Sequence, residues 1–206
     1  MKKKLLMSMM LLASISALTA CGAKPAEEPE VKTEEPVVVE TMEQKFERVS
    51  AMEFNLNDDG CPSNTLIIAS GAEDYQPFPQ IALENPKSGA LVFSSGNKTY
   101  GTLFFGDYII KNYASTEYYE NRKDEEIYME FFLEDEGLEN LTTKEYLPNY
   151  LQIIQGNALE TWMSPEIPII TLTHLDEKVA CGKIELTDEY GTLLKGIFKV
   201  DVINEE

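Results

Sequence analysis

The chain of 206 residues predicts an all-β fold, mainly antiparallel, shaped as a β-sandwich or partly closed barrel with one or two short helices. Three observations lead there: many short runs with apolar residues two apart, turn-forming clusters between those runs, and few stretches at helical spacing. A content of 43% apolar and 10% aromatic residues is that of a chain with a core, not of a disordered acidic tail.

The elements follow in order. Thr41-Met42-Glu43-Gln44 fits a capping box and opens a short helix over 41–48. From there the period changes to two, with Met52, Phe54 and Leu56 alternating with Glu53, Asn55 and Asn57 until the turn signal Asp58-Asp59-Gly60. Further strands are predicted over 64–70, 79–84, 90–95, 99–105, 107–113, 126–134, 166–174, 178–187 and 193–203. The last is the cleanest, with Phe198, Val200 and Val202 on one side and Lys199 and Asp201 on the other, as in a half-buried antiparallel strand. A second helix is predicted over 141–155, opened by Thr142-Thr143-Lys144-Glu145 and interrupted at Pro148. The tetrad Tyr100-Gly101-Thr102-Leu103 recurs as Tyr190-Gly191-Thr192-Leu193, with Gly106 and Gly196 three residues on. Two similar hairpins with glycine at a bulge or close backbone approach explain the match, whether or not they share an origin.

The amino terminus carries the sharpest signal. Lys2, Lys3 and Lys4 precede an apolar run from Leu5 to Ala13 and small residues up to Ala20, the layout of a secretory signal peptide. The run is shorter than the roughly 20 apolar residues that a membrane-spanning helix needs. Leu18-Thr19-Ala20-Cys21-Gly22 resembles the lipobox of bacterial lipoproteins, a family of exported proteins in which the cysteine is acylated before the bond in front of it is cut. The resemblance covers residues 1–22 and implies that Cys21 is the lipid-attachment residue and the first residue of the mature chain. It implies no cofactor beyond that covalent lipid. Two or three acyl chains, each CH₂ contributing about 0.8 kcal/mol of burial, hold a protein firmly at a membrane without spanning it.

Three segments result: a signal peptide at 1–20, a lipidated acidic Pro-rich tether at 21–40, and one β-rich domain at 41–206. Proline and like charges extend the tether, which at about 3.1 Å per residue reaches roughly 60 Å. Charge sharpens the picture. The formal charge is −19; cutting off 1–20 takes three Lys from the 17 basic residues and none of the 36 acids, so 14 face 36 and the charge becomes −22. Phosphate contact needs clustered Lys and Arg, so nucleic-acid binding is excluded as a class. Anionic lipid heads repel the same surface within a Debye length of about 8 Å, which leaves the lipid as the membrane partner.

Chemistry is sparse in the body. Cys61 and Cys181 are a candidate disulfide, which an exported protein permits. Strict alternation puts Cys181 on the outer face with Lys183 and Glu185, so the bond requires the loop of Cys61 to lie over that face or a bulge to shift the register. His174 is the single histidine and shares parity with Ile170 and Leu172, which reads as a hydrogen-bonded core or rim residue rather than a catalytic base. No metal site is expected: residues 55–60 imitate the start of an EF-hand loop, but its twelfth position is Leu66 where a bidentate Glu is required. No catalytic residue is assigned. Glu134 and Glu136, about 6.6 Å apart on one strand face, have a spacing that glycoside hydrolysis can use, yet a chain this acidic contains such pairs without purpose.

Tyr128 and Phe132 share a face with Glu130 and Glu134, opposite Ile127, Met129, Phe131 and Leu133. A strand apolar on both faces is either buried twice or carries a contact surface, to which Tyr118, Tyr119 and Trp162 would add. The first functional expectation is therefore a binding or scaffolding lipoprotein, on the extracytoplasmic side of the cell membrane or envelope, whose partner is an envelope protein or glycan. A carboxylate-dependent envelope hydrolase is the alternative from another class, and a structural spacer is the third.

Overall fold

The structure, a computed structural model, divides the chain into two units, Met1–Val38 and Val39–Glu206. It describes residues 39–71, 80–93, 98–113, 123, 126–134, 140–156, 159–163, 165–167, 169–187 and 191–205, all in the second unit. These residues form one helix, α1 (Met42–Ser50), and eleven strands: β1 (Leu66–Ser70), β2 (Ile81–Glu84), β3 (Ser88–Phe93), β4 (Tyr100–Gly106), β5 (Ile127–Glu134), β6 (Glu145–Tyr146), β7 (Tyr150–Gln155), β8 (Leu159–Met163), β9 (Ile170–Leu175), β10 (Val179–Thr187) and β11 (Leu193–Asn204). The fold is all-β, a mostly antiparallel sheet curled into a half-barrel.

One sheet runs β6-β9-β10-β11-β3-β4-β5-β7-β8. Its branch point is β11, the longest strand. Along one edge β11 pairs with β10 from Leu193 to Asp201. Along the other it pairs first with β1, from Leu193 to Ile197, and then in parallel with β3, from Asp201 to Asn204. Between these partners the main chain of Lys199 would lack a neighbour. Thr65 fills the gap: its buried hydroxyl accepts from Lys199 N–H at 3.0 Å and donates to the Lys199 carbonyl at 3.2 Å. One side chain thus closes both hydrogen bonds that the fork leaves open.

The inner face holds the main core, built by alternate residues: Leu91 and Phe93 of β3, Leu103 and Phe105 of β4, Ile127, Met129, Phe131 and Leu133 of β5, Ile184 and Leu186 of β10, Phe198 and Val200 of β11. Two smaller apolar clusters lie on the outer face. Ala90, Val92, Phe104, Tyr128 and Ile154 pack with Ile110. Leu66, Ile68, Ala82 and Ile197 pack with Val49 of α1 and with half-buried Met52, Phe54 and Leu56.

Helix α1 starts where the capping box predicts it, with Thr41 Oγ1 accepting from Gln44 N–H and Gln44 Oε1 accepting from Thr41 N–H. Arg48 in its last turn donates to Glu40 and to Glu84 at 2.8 Å each, tying helix to β2. The run after it keeps its alternation, Met52, Phe54 and Leu56 half-buried and Glu53, Asn55 and Asn57 exposed, but forms no ladder. It lies across the sheet as a strap.

Two expectations are corrected. Residues 141–155 are not helical but give β6 and β7. Pro148 ends any helix there, the ring hydroxyl of Tyr146 accepts from Thr142 N–H and donates to Thr142 O, and Ile153 and Ile154 are β-branched. Residues 107–113 form a loop rather than a strand. Ser88 Oγ donates to Tyr108 O and accepts from Ile110 N–H, pinning the loop so that Ile110 is buried. The repeated tetrads also differ: Gly101 lies inside β4, whereas Gly191 sits before β11 at φ +85°. Gly89 pairs with Phe105 and Gly182 with Phe198, so the two hairpins, aligned on their tetrads, differ by three residues in register.

Candidate functional site

Cys61 and Cys181 are joined by a disulfide, with Cα atoms 5.1 Å apart and both residues buried. The geometric difficulty that the sequence poses is met by the first remedy: Cys181 keeps its outer-face position opposite Lys199, and the turn carrying Cys61 lies over that face, beside a bulge in the neighbouring strand β9. Cys181 pairs with His174 and Gly182 with Leu172, so Thr173 is an extra residue, a β-bulge in β9. The Asn57–Cys61 turn lies over this bulge: Thr173 Oγ1 donates to Gly60 O at 2.6 Å, and Asn57 N–H donates to Cys61 O. Gly60 has φ +80°, and a side chain there would meet the Thr173 carbonyl at 3.0 Å.

The bulge also corrects the placement of His174. It does not share a face with Ile170 and Leu172, because the extra residue flips the alternation after Leu172 and sets His174 beside Cys181 on the outer side. Leu175 takes the inward position and packs against the main core. His174 is about one-third exposed, with Nε2 3.1 Å from Asp176 Oδ2. The Asp176 carboxyl is pulled down to about 2 by the N–H groups of Lys178 and Val179 and then by His174. This is a turn-closing arrangement.

The aromatic face of β5 is rearranged as well. Tyr128 does not belong to an exposed contact surface: it is fully buried, against Phe104, and its hydroxyl donates to Glu130. Glu130 and Gln152, paired across β5 and β7, are also buried. The Tyr150 hydroxyl is pushed up to about 12, first by burial and then by the charge and hydrogen bond of Glu130. Phe132 stacks on Tyr150 at 5.6 Å and 3°, with Tyr100 on it at 5.9 Å, so neighbouring rings occupy its faces. Trp162 takes the register position opposite Gln152 in β8. Tyr118, Tyr119 and Glu136 lie outside the described residues, as does Cys21. Glu134 is exposed and accepts from Asn149 Nδ2 at 2.6 Å. Among the described residues no three His, Cys, Asp or Glu side chains converge as a metal site. Asp59 Oδ1 instead accepts from Cys61 N–H.

A groove that sequence reasoning did not anticipate runs beside the strap. It has a volume of about 410 Å³ and is walled by four consecutive strap residues, Met52 to Asn55, over a floor of Lys183, Glu185, Lys195 and Ile197 from the outer face of β10 and β11. Lys195 lies directly opposite Glu185, and its Nζ sits 4.6 Å over the Phe54 ring. Lys183 faces Thr171 and Ile197 across the strands, neither of them an acid. The available signal was the period-two run 52–57. Compared with models of known protein families, characterised proteins and solved structures, the chain matches none.

Proposed function

We propose that this protein is a lipid-anchored extracytoplasmic lipoprotein whose β-rich domain binds or scaffolds an envelope protein or glycan at the end of an acidic tether. The observation that carries the reading is Leu18-Thr19-Ala20-Cys21 behind a Lys start and an apolar run. The Cys61–Cys181 bond supports it independently, because such bonds persist in oxidising compartments and are rare where thiols are kept reduced. With a formal charge of −19, the surface favours the lipid over its own basic residues as the means of attachment.

Mass spectrometry of the membrane-extracted protein tests the anchor. The expected product begins at Cys21 and carries two or three acyl chains, and Cys21→Ser abolishes the acylation. An unacylated product, or one that starts elsewhere, refutes the reading. For the binding half, the acylated full chain is used to capture envelope components; recovery of neither protein nor glycan across a range of salt concentrations counts against it.

A further inference from the structure

We infer that the strap Met52–Asn57 is a docking edge for an extended peptide segment of a partner protein, one that carries a carboxylate side chain aimed at Lys183. The inference rests on the binding reading above and names its surface. The strap has the alternating exposure of a β-strand, yet it lies on top of the sheet rather than in its plane. Met52, Phe54 and Leu56 stand between its backbone and the sheet, so the sheet cannot supply main-chain partners. The consequence is visible in the hydrogen bonds. Met52 N–H is taken by Val49 O and Asn57 N–H by Cys61 O, while among the described residues the N–H and C=O groups of Glu53, Phe54, Asn55 and Leu56 have no main-chain partner.

An unpaired strand edge is the template on which β-augmentation works: main-chain hydrogen bonds supply affinity and side-chain pockets supply selectivity. Here the edge is held ready at both ends, by α1 at Val49 and by the disulfide at Cys61, so little chain entropy is lost when a strand is added. The groove follows the edge, since residues of both parities line it, and its volume of about 410 Å³ lies within the range of ligand clefts. Charge selects the occupant. Glu185 and Lys195 face each other across β10 and β11, Glu53 accepts from Asn55 Nδ2 at 2.9 Å, and Lys183 faces Ile197 and Thr171, with no acid directly opposite it on either neighbouring strand. Lys183 is thus the floor charge left for an incoming side chain, and a carboxylate complements it.

The test is amide hydrogen exchange on the processed protein. The probe is a five-residue, end-capped peptide of alternating valine and threonine around a central glutamate. At saturation this peptide is expected to slow exchange at Glu53–Leu56 tenfold or more, and its backbone N-methylated form is expected to leave exchange unchanged. Replacing the central glutamate by lysine should weaken binding about tenfold, and Lys183→Glu should reverse that preference. Equal protection by the N-methylated peptide, no protection at millimolar peptide, or a charge preference indifferent to Lys183→Glu overturns the inference. Absence of any peptide effect while wild type and Lys183→Glu capture the same envelope component overturns the strap assignment and leaves the binding reading standing. Failure of both proteins to capture anything overturns the reading itself.

Discussion

Replacing both Cys61 and Cys181 by alanine perturbs the strongest long-range constraint in the body. The bond closes a loop with a sequence separation of 120, and in the chain-entropy model a loop of that length withholds about 5 kcal/mol from the unfolded state. Domains are stable by about 5–15 kcal/mol, so the loss is a third or more of the total. With a urea slope of about 2 kcal/mol/M, the midpoint should fall by about 2.5 M. Urea denaturation followed by fluorescence of the chain's one Trp checks this, with wild type measured oxidised and, after unfolding in reductant, reduced. The reduced wild type and the double variant should agree. Because both sulfurs are buried, reductant alone should leave the folded protein oxidised. A midpoint shift below about 0.5 M would refute the reasoning, since it would place the constraint in the native contacts of the Asn57–Cys61 turn and not in the unfolded chain.

Other outcomes follow from single sites. Gly182→Ala sets a Cβ 2.2 Å from the Thr171 carbonyl and 2.7 Å from the Phe198 ring, and because a backbone atom cannot step aside it should cost about 3 kcal/mol or more, read from the thermal midpoint. Thr65→Val deprives both Lys199 main-chain groups of their partner and should cost about 1–3 kcal/mol, with faster amide exchange confined to the fork between β1 and β3. The Tyr150 hydroxyl is raised from an unfolded value near 10 to about 12, so its contribution is complete below pH about 10 and lost as pH rises toward about 12. Tyr150→Phe should flatten that alkaline decline in stability; an unchanged profile would contradict the assignment. Asp176 works in the opposite sense, lowered to about 2, so its contribution is complete above the ordinary carboxylate range and lost as pH falls through about 2, a slope that Asp176→Asn should remove from acid titrations of stability.

Much of the architecture could be read from period and punctuation. Alternation was clear wherever one sheet face met the core and the other met solvent, as in β11, and the capping box placed the start of α1. It failed where both faces are covered. In β7, Leu151, Gln152, Ile153 and Ile154 are all buried, which erases the period that separates strand from helix. It failed again at His174, because one bulged residue inverts parity and nothing in the local residues announces it. The Cys61–Cys181 pair was legible as the two cysteines left after Cys21, but the means of their meeting, a turn docked on a bulge, joins segments more than 100 residues apart. The groove was least legible of all. The 52–57 alternation was plain, yet whether such a strand finds a ladder partner depends on which plane it occupies.

The two outer faces decide between themselves which can serve as a binding surface. On β5 and β7 the polar atoms are committed: Tyr128 donates to Glu130, Tyr150 carries the same carboxylate's hydrogen bond, and Phe132 is flanked by rings. A ligand there would have to break hydrogen bonds made in a water-poor setting, and each buried group left unmatched costs about 1–3 kcal/mol. On the strap the opposite holds. Its main-chain groups from Glu53 to Leu56 have no main-chain partner among the described residues, so a partner strand can bond to them without dismantling a main-chain hydrogen bond of the protein. Of the aromatic residues that draw the eye in the sequence, Tyr128 is therefore a satisfied interior residue and Phe132 is covered by its neighbours, and a plain alternating run between a helix and a cysteine offers the open valences.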